Sequence, residues 1–268
     1  MKGLKKVLFL GLIFTLVAAM FAGCGKKTNG DTSKDTLQEI KDRGKFVVGV
    51  KYDTNLFGYK DPKTGEVTGF DVDIAKALAK KILGDENKVE LVEITSKTRV
   101  PKLNNGDIDA IIATMTISEE RKKEVDFSDV YFMAGQSLLV KKGSPIKSVA
   151  DLKKGTKVLA VKGSTSVDNV KKAAPDTEVL EFENYAEAFT ALKAGKGDAL
   201  TTDDSILYGM ADQDNNYQLV GGTFTEEPYG IAVRKGQKKF QEYINKFLKE
   251  LKDSGEYDQI KNKWIKQQ

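Results

Sequence analysis

Arg121 and the hydroxyls ahead of it, in the run TMTISEER, are the first residues whose types and spacing could do chemistry. Thr114 and Thr116 follow a strand expected over 108–113, and Arg121 falls in the first turn of a helix expected to begin near Ser118. A guanidinium there can fork onto a carboxylate, the backbone N–H groups of a first turn favour an anion, and Thr116 can add a hydroxyl. Pattern alone equally allows a surface charge like Lys122 and Lys123 beside it. Ser164, Thr165 and Ser166 form a polar turn before another helix, either an ordinary N-cap or a second cluster of N–H donors. Asp203 stands at the carboxyl end of a strand, with Asp204 as its neighbour. Lys51 ends the strand FVVGVK and shares a face with Asp53, which could neutralise it. Arg99 lies in TSKTRVPKL, where a solvated helix charge is the plain alternative. Phe57, Tyr59 and Phe70 supply aromatic surface near the first strand, and Tyr185 supplies it from the second half. For Phe70, ahead of a helix, core packing is the stronger reading.

Absences narrow the chemistry further. The 268 residues contain no histidine and one cysteine, Cys24. There is thus no Ser-His-Asp triad, no His-based metal site and no intrachain disulfide, and no cofactor is implied. The net charge of +4 falls to +1 without the three lysines of the first 23 residues, and the charges are interspersed, so no nucleic-acid partner is expected.

Lys2, Lys5 and Lys6 precede an apolar run over 7–22 that is broken only by Gly11 and Thr15. The run is short for a membrane span, which needs about 20 apolar residues. It ends in Ala22 and Gly23, as an export signal ends at its cleavage region. Phe21-Ala22-Gly23-Cys24 resembles a bacterial lipoprotein box, with Phe21 where leucine is usual. That resemblance implies a lipid-anchored, extracytoplasmic protein, held by the two chains of a diacylglyceryl (palmitate-type) group on Cys24. An uncleaved anchor with an incidental cysteine is the alternative. Residues 25–36 are polar and aperiodic and read as a flexible tether.

From residue 37 onward, short β-branched runs alternate with helical patterns. Strands are expected over 46–51, 89–94, 108–113, 156–161, 178–182 and 198–202. Helices are expected over 71–83, 100–105, 166–174, 185–194 and 238–251. Such alternation predicts an α/β fold with mostly parallel sheets. One octet, Leu103-Asn104-Asn105-Gly106-Asp107-Ile108-Asp109-Ala110, is echoed by Leu192-Lys193-Ala194-Gly195-Lys196-Gly197-Asp198-Ala199. In both, a helix ends at glycine and a strand begins near Asp-Ala, as two similar lobes would require, unless so short a pattern is coincidence. Open α/β sheets bind ligands at strand carboxyl ends. The extended segments 131–141 and 227–234 suit two crossings between lobes, with hinges at 133–136 and 225–228.

At GFDVDIAKA (69–77), NGDIDAIIA (105–113), TMTISEERKKEVDFS (114–128), VLAVKGSTS (158–166), DALTTDD (198–204) and YGIAV (229–233) the chain resembles the polar amino-acid-binding proteins of ABC importers. The resemblance spans about 37–264 and implies the two-lobed, type II periplasmic-binding-protein-like fold, with two mostly parallel sheets and two hinge strands. The expected organisation is a signal over 1–23, lipidated Cys24 with its tether over 24–36, a larger lobe of 37–134 plus 226–268, and a smaller lobe of 135–225. It further implies a monomer that captures an amino acid and hands it to a membrane permease. Thr165 then assists the ligand's carboxylate together with Arg121, Thr114, Thr116 and Ser164, Asp203 anchors its ammonium group, and Phe57 and Tyr185 wall its methylenes. GVKYD and SKTRVPKL look most like members that bind glutamate or aspartate, so Lys51 and Arg99 are expected to hold a second carboxylate. Glutamine or another polar amino acid is the alternative. An enzyme on the same scaffold, a dehydratase or lyase with Glu226 or Glu227 as its acid, is the rival reading.

Overall fold

The computed structural model describes residues 35–265. The export segment, Cys24 and most of the tether lie outside the described residues. Two five-stranded sheets organise the chain. The first runs Val89–Glu93, Phe46–Val50, Ala110–Ile111, Ala232–Arg234, Val125–Phe127. The second runs Glu178–Phe182, Lys157–Val161, Ala199–Asp203, Gln136–Lys141, Tyr217–Val220. In each, only the fourth strand runs antiparallel to its neighbours.

The two sheets share more than strand order. Ala110 pairs with Val48 in the first, and Ala199 with Val158 in the second. Asp109 accepts a hydrogen bond from the backbone of Val47 at 2.8 Å, and Asp198 accepts one from Lys157 at 2.8 Å. The echoed octets therefore occupy equivalent places, each aspartate fixing the register of the strand beside it.

Apolar periodicity explains the packing. Ile74, Ala75, Leu78 and Ile82 of the helix Phe70–Leu83 and Phe240, Ile244, Phe247 and Leu251 of Lys238–Asp253 bury against Phe46, Val48 and Val50. Each such side chain contributes about 1.5–3 kcal/mol on burial. Ile94, Leu103, Ile108, Ile111 and Phe127 fill the opposite face of that sheet. Gly49 permits this, because a Cβ there would lie 2.6 Å from Ile108 and 2.9 Å from Ile94. The second sheet has its own cores, around Leu159, Phe189 and Leu207 on one face and Val140, Val158 and Val170 on the other.

Two segments cross between the sheets. Phe132–Ala134 leads into the second sheet and Glu227–Tyr229 leads back, and they pair antiparallel with Pro228 opposite Met133. The expected crossings are there, each broken by a turn into two shorter strands.

The edge strands Val125–Phe127 and Tyr217–Val220 were not expected, and other elements differ from expectation as well. The helix expected near Ser118 is only a single 3-10 turn, Arg121–Lys123, because the chain enters the strand Val125–Phe127 at once. The helix Asp204–Gln213 was not foreseen, its pattern being interrupted by Gly209. Thr36 belongs to the folded body: it opens the helix Thr36–Arg43, capped by the Asp35 carboxylate.

Candidate functional site

The carboxyl ends of the first sheet's strands carry the cations. Lys51 follows Phe46–Val50, is 1 % exposed, and donates from Nζ to Ser96 Oγ at 2.9 Å. Burial pushes its amine down to about 7, against the pull of Asp53, with Arg99 and Arg121 adding to the fall. Asp53 does not pair directly with it; that carboxylate accepts from the Tyr185 backbone at 2.7 Å. Arg99 opens the helix Arg99–Asn104 and is 2 % exposed, so the solvated-charge alternative does not hold. Its Nη1 donates to the Ala113 carbonyl at 3.2 Å, and burial, then Arg121, push it down to about 9. Arg121 donates from Nη1 to the Thr116 carbonyl at 2.8 Å and from Nη2 to the Gly163 carbonyl at 3.1 Å. A 3-10 turn gives it no helix dipole, so the anion-binding argument rests on the guanidinium itself.

Behind these cations Thr114 adopts φ +44°, a conformation unfavourable for a β-branched residue. Asp71 holds it there, accepting from the Thr114 N–H at 2.9 Å and from the Tyr131 hydroxyl at 2.8 Å. Asp71 is fully buried, which pushes its carboxyl up to about 7.

The second sheet supplies the anion. Asp203 ends Ala199–Asp203 and is 4 % exposed. Its Oδ2 accepts a short hydrogen bond from the Tyr229 hydroxyl on the returning crossing strand, and its Oδ1 is buried without a partner. Burial, then the charge of Glu227, push this carboxyl up to about 7. Tyr185 is buried; its hydroxyl accepts from Thr202 at 3.1 Å and its ring faces Lys51 Nζ at 5.2 Å.

The expected hydroxyl clamps are placed differently. Ser164 Oγ donates to the Val161 carbonyl at 2.6 Å and makes no N-cap bond. Thr165 Oγ1 donates to Glu227 at 2.9 Å, and Asn169 donates to the same carboxylate at 2.7 Å. Phe57 is fully buried in an aromatic cluster, with ring centroids 5.3 Å from Phe132 and 6.1 Å from Tyr229. It braces the tyrosine that holds Asp203. Phe70 is core, also packed on Phe57.

Lys51, Arg99, Thr114, Thr116, Arg121, Tyr185 and Asp203 thus meet between the two sheets. Ser96, Asp71 and Tyr229 were missed, and Glu227 was considered only as an acid. Asp71 did carry a signal, since a charge three and four residues before Ile74 and Ala75 sits on the helix's buried stripe. A fixed fork, a fixed carboxylate with a free buried oxygen, and the Tyr185 ring can hold one small zwitterion. Among the described residues, no group of three Asp, Glu or Cys is placed to hold a metal ion.

The cleft is closed. Asn55 Nδ2 of the first lobe donates to the Gly209 carbonyl of the second at 3.0 Å, and a Cβ on Gly163 would lie 2.9 Å from the Ser96 carbonyl.

Comparison with known proteins agrees with this geometry. The chain is 64 % identical over 269 residues to the ABC transporter glutamine-binding protein GlnH of Bacillus subtilis (strain 168), covering 98 % of both chains. It is 64 % identical over 243 residues to a glutamine-binding protein of Geobacillus stearothermophilus, covering 86 % of this chain and 93 % of that one. Identity to the glutamate-binding protein GluB of Corynebacterium efficiens is 32 % over 267 residues, 95 % of this chain and 90 % of that one. A solved ancestral arginine-binding protein bound to glutamine superposes with a TM-score of 0.78 at 49 % identity, over 84 % of this chain and 99 % of that one. The fold is the type II periplasmic-binding-protein fold. Residues 46–267 match the family model throughout, and the chain belongs to the bacterial extracellular solute-binding proteins, family 3.

Proposed function

We propose that this protein captures a polar L-amino acid outside the cytoplasm, held to the membrane through Cys24, and delivers it to the permease of an ABC importer. The carrying observation is that Arg121 and Asp203 face each other across the cleft closely enough to feel each other's charge without bonding, and that one buried oxygen of Asp203 has no partner. An α-carboxylate on the first and an α-ammonium on the second satisfy both, and neither group alone explains the other.

Glutamine is the ligand this reading favours, in place of the glutamate or aspartate expected from Lys51 and Arg99. Relatives described as glutamine-binding are twice as similar as one described as glutamate-binding. Charge balance supports the same choice. Lys51 feels the charges of Asp53 and Asp71, Arg99 that of Asp203, and Arg121 those of Asp203 and Glu227. The three cations already have four acids around them, so the cleft carries no excess positive charge that calls for a second carboxylate on the ligand. A lysine whose amine titrates near 7 is also a weak counter-ion for a second carboxylate.

One observation favours glutamate: Lys51 and Arg99 are buried, and their hydrogen bonds go to neutral oxygens. Calorimetric titration separates the two. Glutamine is expected to bind at least tenfold more tightly than glutamate at pH 8; tighter glutamate binding would restore the acidic-ligand reading. As for the dehydratase or lyase alternative, Glu227 has both oxygens engaged, by Thr165, Asn169 and Thr225, and Glu226 is exposed. That arrangement supports capture over acid catalysis, and recovery of intact glutamine after long incubation is the expected outcome.

A further inference from the structure

Gly209 sits inside the helix Asp204–Gln213, where glycine is less stable than alanine. Gly163 has φ +75°, which a side chain resists. Gly209 is not among the positive-φ residues. Its reason lies in the other lobe: a Cβ at 209 would lie 2.8 Å from the Asn55 carbonyl oxygen and 3.2 Å from the Asn55 Cβ. The same asparagine donates through Nδ2 to the Gly209 carbonyl at 3.0 Å, so the backbone of one lobe docks on the bare helix of the other.

Two residues earlier, Asp53 makes a second bridge. Its Oδ2 accepts at 2.7 Å from the N–H of Tyr185, the first residue of the helix Tyr185–Lys193 in the opposite lobe. A carboxylate at that end of a helix is favoured by the helix dipole. The Lys97–Glu183 pair at 3.7 Å spans the lobes too, but it is solvated and adds little.

We propose that Asn55, Gly209 and Asp53 form a closure latch beside the cleft, positioning the two lobes and so setting how long a ligand is held, without touching it. The proposal rests on the reading of the cleft as an amino-acid site. The latch acts through the fraction of molecules closed: apparent affinity falls in proportion to any loss of the competent state.

Gly209→Ala separates this from an ordinary structural role. The unliganded melting temperature should hold or rise, because alanine is the better helix former. Affinity for L-glutamine should fall by about tenfold or more, through faster dissociation, as the added methyl wedges the lobes apart. Asn55→Ala, in a loop, should cost about fivefold by loss of one hydrogen bond. A Gly209→Ala protein that binds glutamine as tightly as the parent overturns the latch. Should that variant fail to fold, unchanged affinity in Asn55→Ala overturns it instead. The parent's own titration tests the underlying reading: no heat with glutamine or any other amino acid would sink that. The latch would then be judged by a disulfide in Asn55→Cys/Gly209→Cys carrying Cys24→Ser. It should form under mild oxidation if the lobes meet there, and its absence would refute the contact.

Discussion

The two lobes share one strand order, yet they prepare their halves of the cleft in opposite ways. In the first, Arg99 and Arg121 are tied to carbonyls of their own lobe, at Ala113 and Thr116, and Thr114 is clamped by Asp71. That half is assembled before anything arrives. In the second, Asp203 leans on a tyrosine of the crossing strand and keeps one oxygen unpartnered, while Thr165 and Asn169 lean on Glu227 of the same strand. That half depends on the crossing and on the ligand. On the proposed function, the difference favours an order of events in which the ligand docks on the cations first and its ammonium then completes the acid.

Arg121→Ala should break the prepared half with the largest effect. Removing one partner of a buried charged contact costs about 2–5 kcal/mol, or roughly thirty-fold to several thousand-fold in affinity. Titration of the folded variant checks it, and a loss under threefold would mean that Arg121 is only an inter-lobe strut to Gly163.

The acid half should be exposed by pH. Asp203 is raised to about 7 in the folded, unliganded protein by burial and by Glu227. A raised carboxyl holds its proton in the native state while the unfolded chain has released it. Its contribution to stability is therefore full below about 4 and is lost as pH rises toward 7, with Asp71 acting in the same direction. Binding an ammonium requires the ionised form, so ligand binding releases a proton below pH 7. Affinity should climb about tenfold per unit from pH 5 to 7 and then level off. Calorimetry in buffers of different ionisation heat reads the proton directly, and Asp203→Asn should abolish its release.

Glu227→Gln tests the crossing strand's part. It keeps the shape but removes the charge that strengthens the bonds from Thr165, Asn169 and Thr225, and it should weaken binding about tenfold, chiefly through dissociation. The smallest effect is expected from Ser96→Ala, which frees the Lys51 amine within its pocket. A few-fold shift of the glutamine-to-glutamate ratio toward glutamate is the outcome to look for; no shift would remove Lys51 from side-chain selection.

Residue type and local pattern made much of this readable. Strand-helix alternation and the doubled octet marked the three parallel strands of each sheet, because register there depends on neighbours such as Asp109 and Asp198, but not the edge strands Val125–Phe127 and Tyr217–Val220. Lys51, Arg99, Arg121 and Asp203 could be picked out as charges at strand ends and helix starts. What stayed hidden depends on distant partners. Ser164 and Thr165 look like free hydroxyls until Val161 and Glu227 are seen taking them. The bare helix at Gly209 looks like a weak helix until Asn55, 154 residues away, is set against it. The expectation of an acidic ligand counted Lys51 and Arg99 without Asp53, Asp71 and Asp203, acids that only the fold places near them.

The paired crossing strands carry a mechanical consequence. A single linker would act as a ball joint, leaving the lobes free to twist as well as to bend. Two strands joined through Ala134–Glu227, Met133–Pro228 and Phe132–Tyr229 form a ribbon that resists torsion more than a single linker would and bends mainly across its face. On the proposed function, ligand, latch and permease would all act on that single coordinate, so that work done by one is felt directly by another.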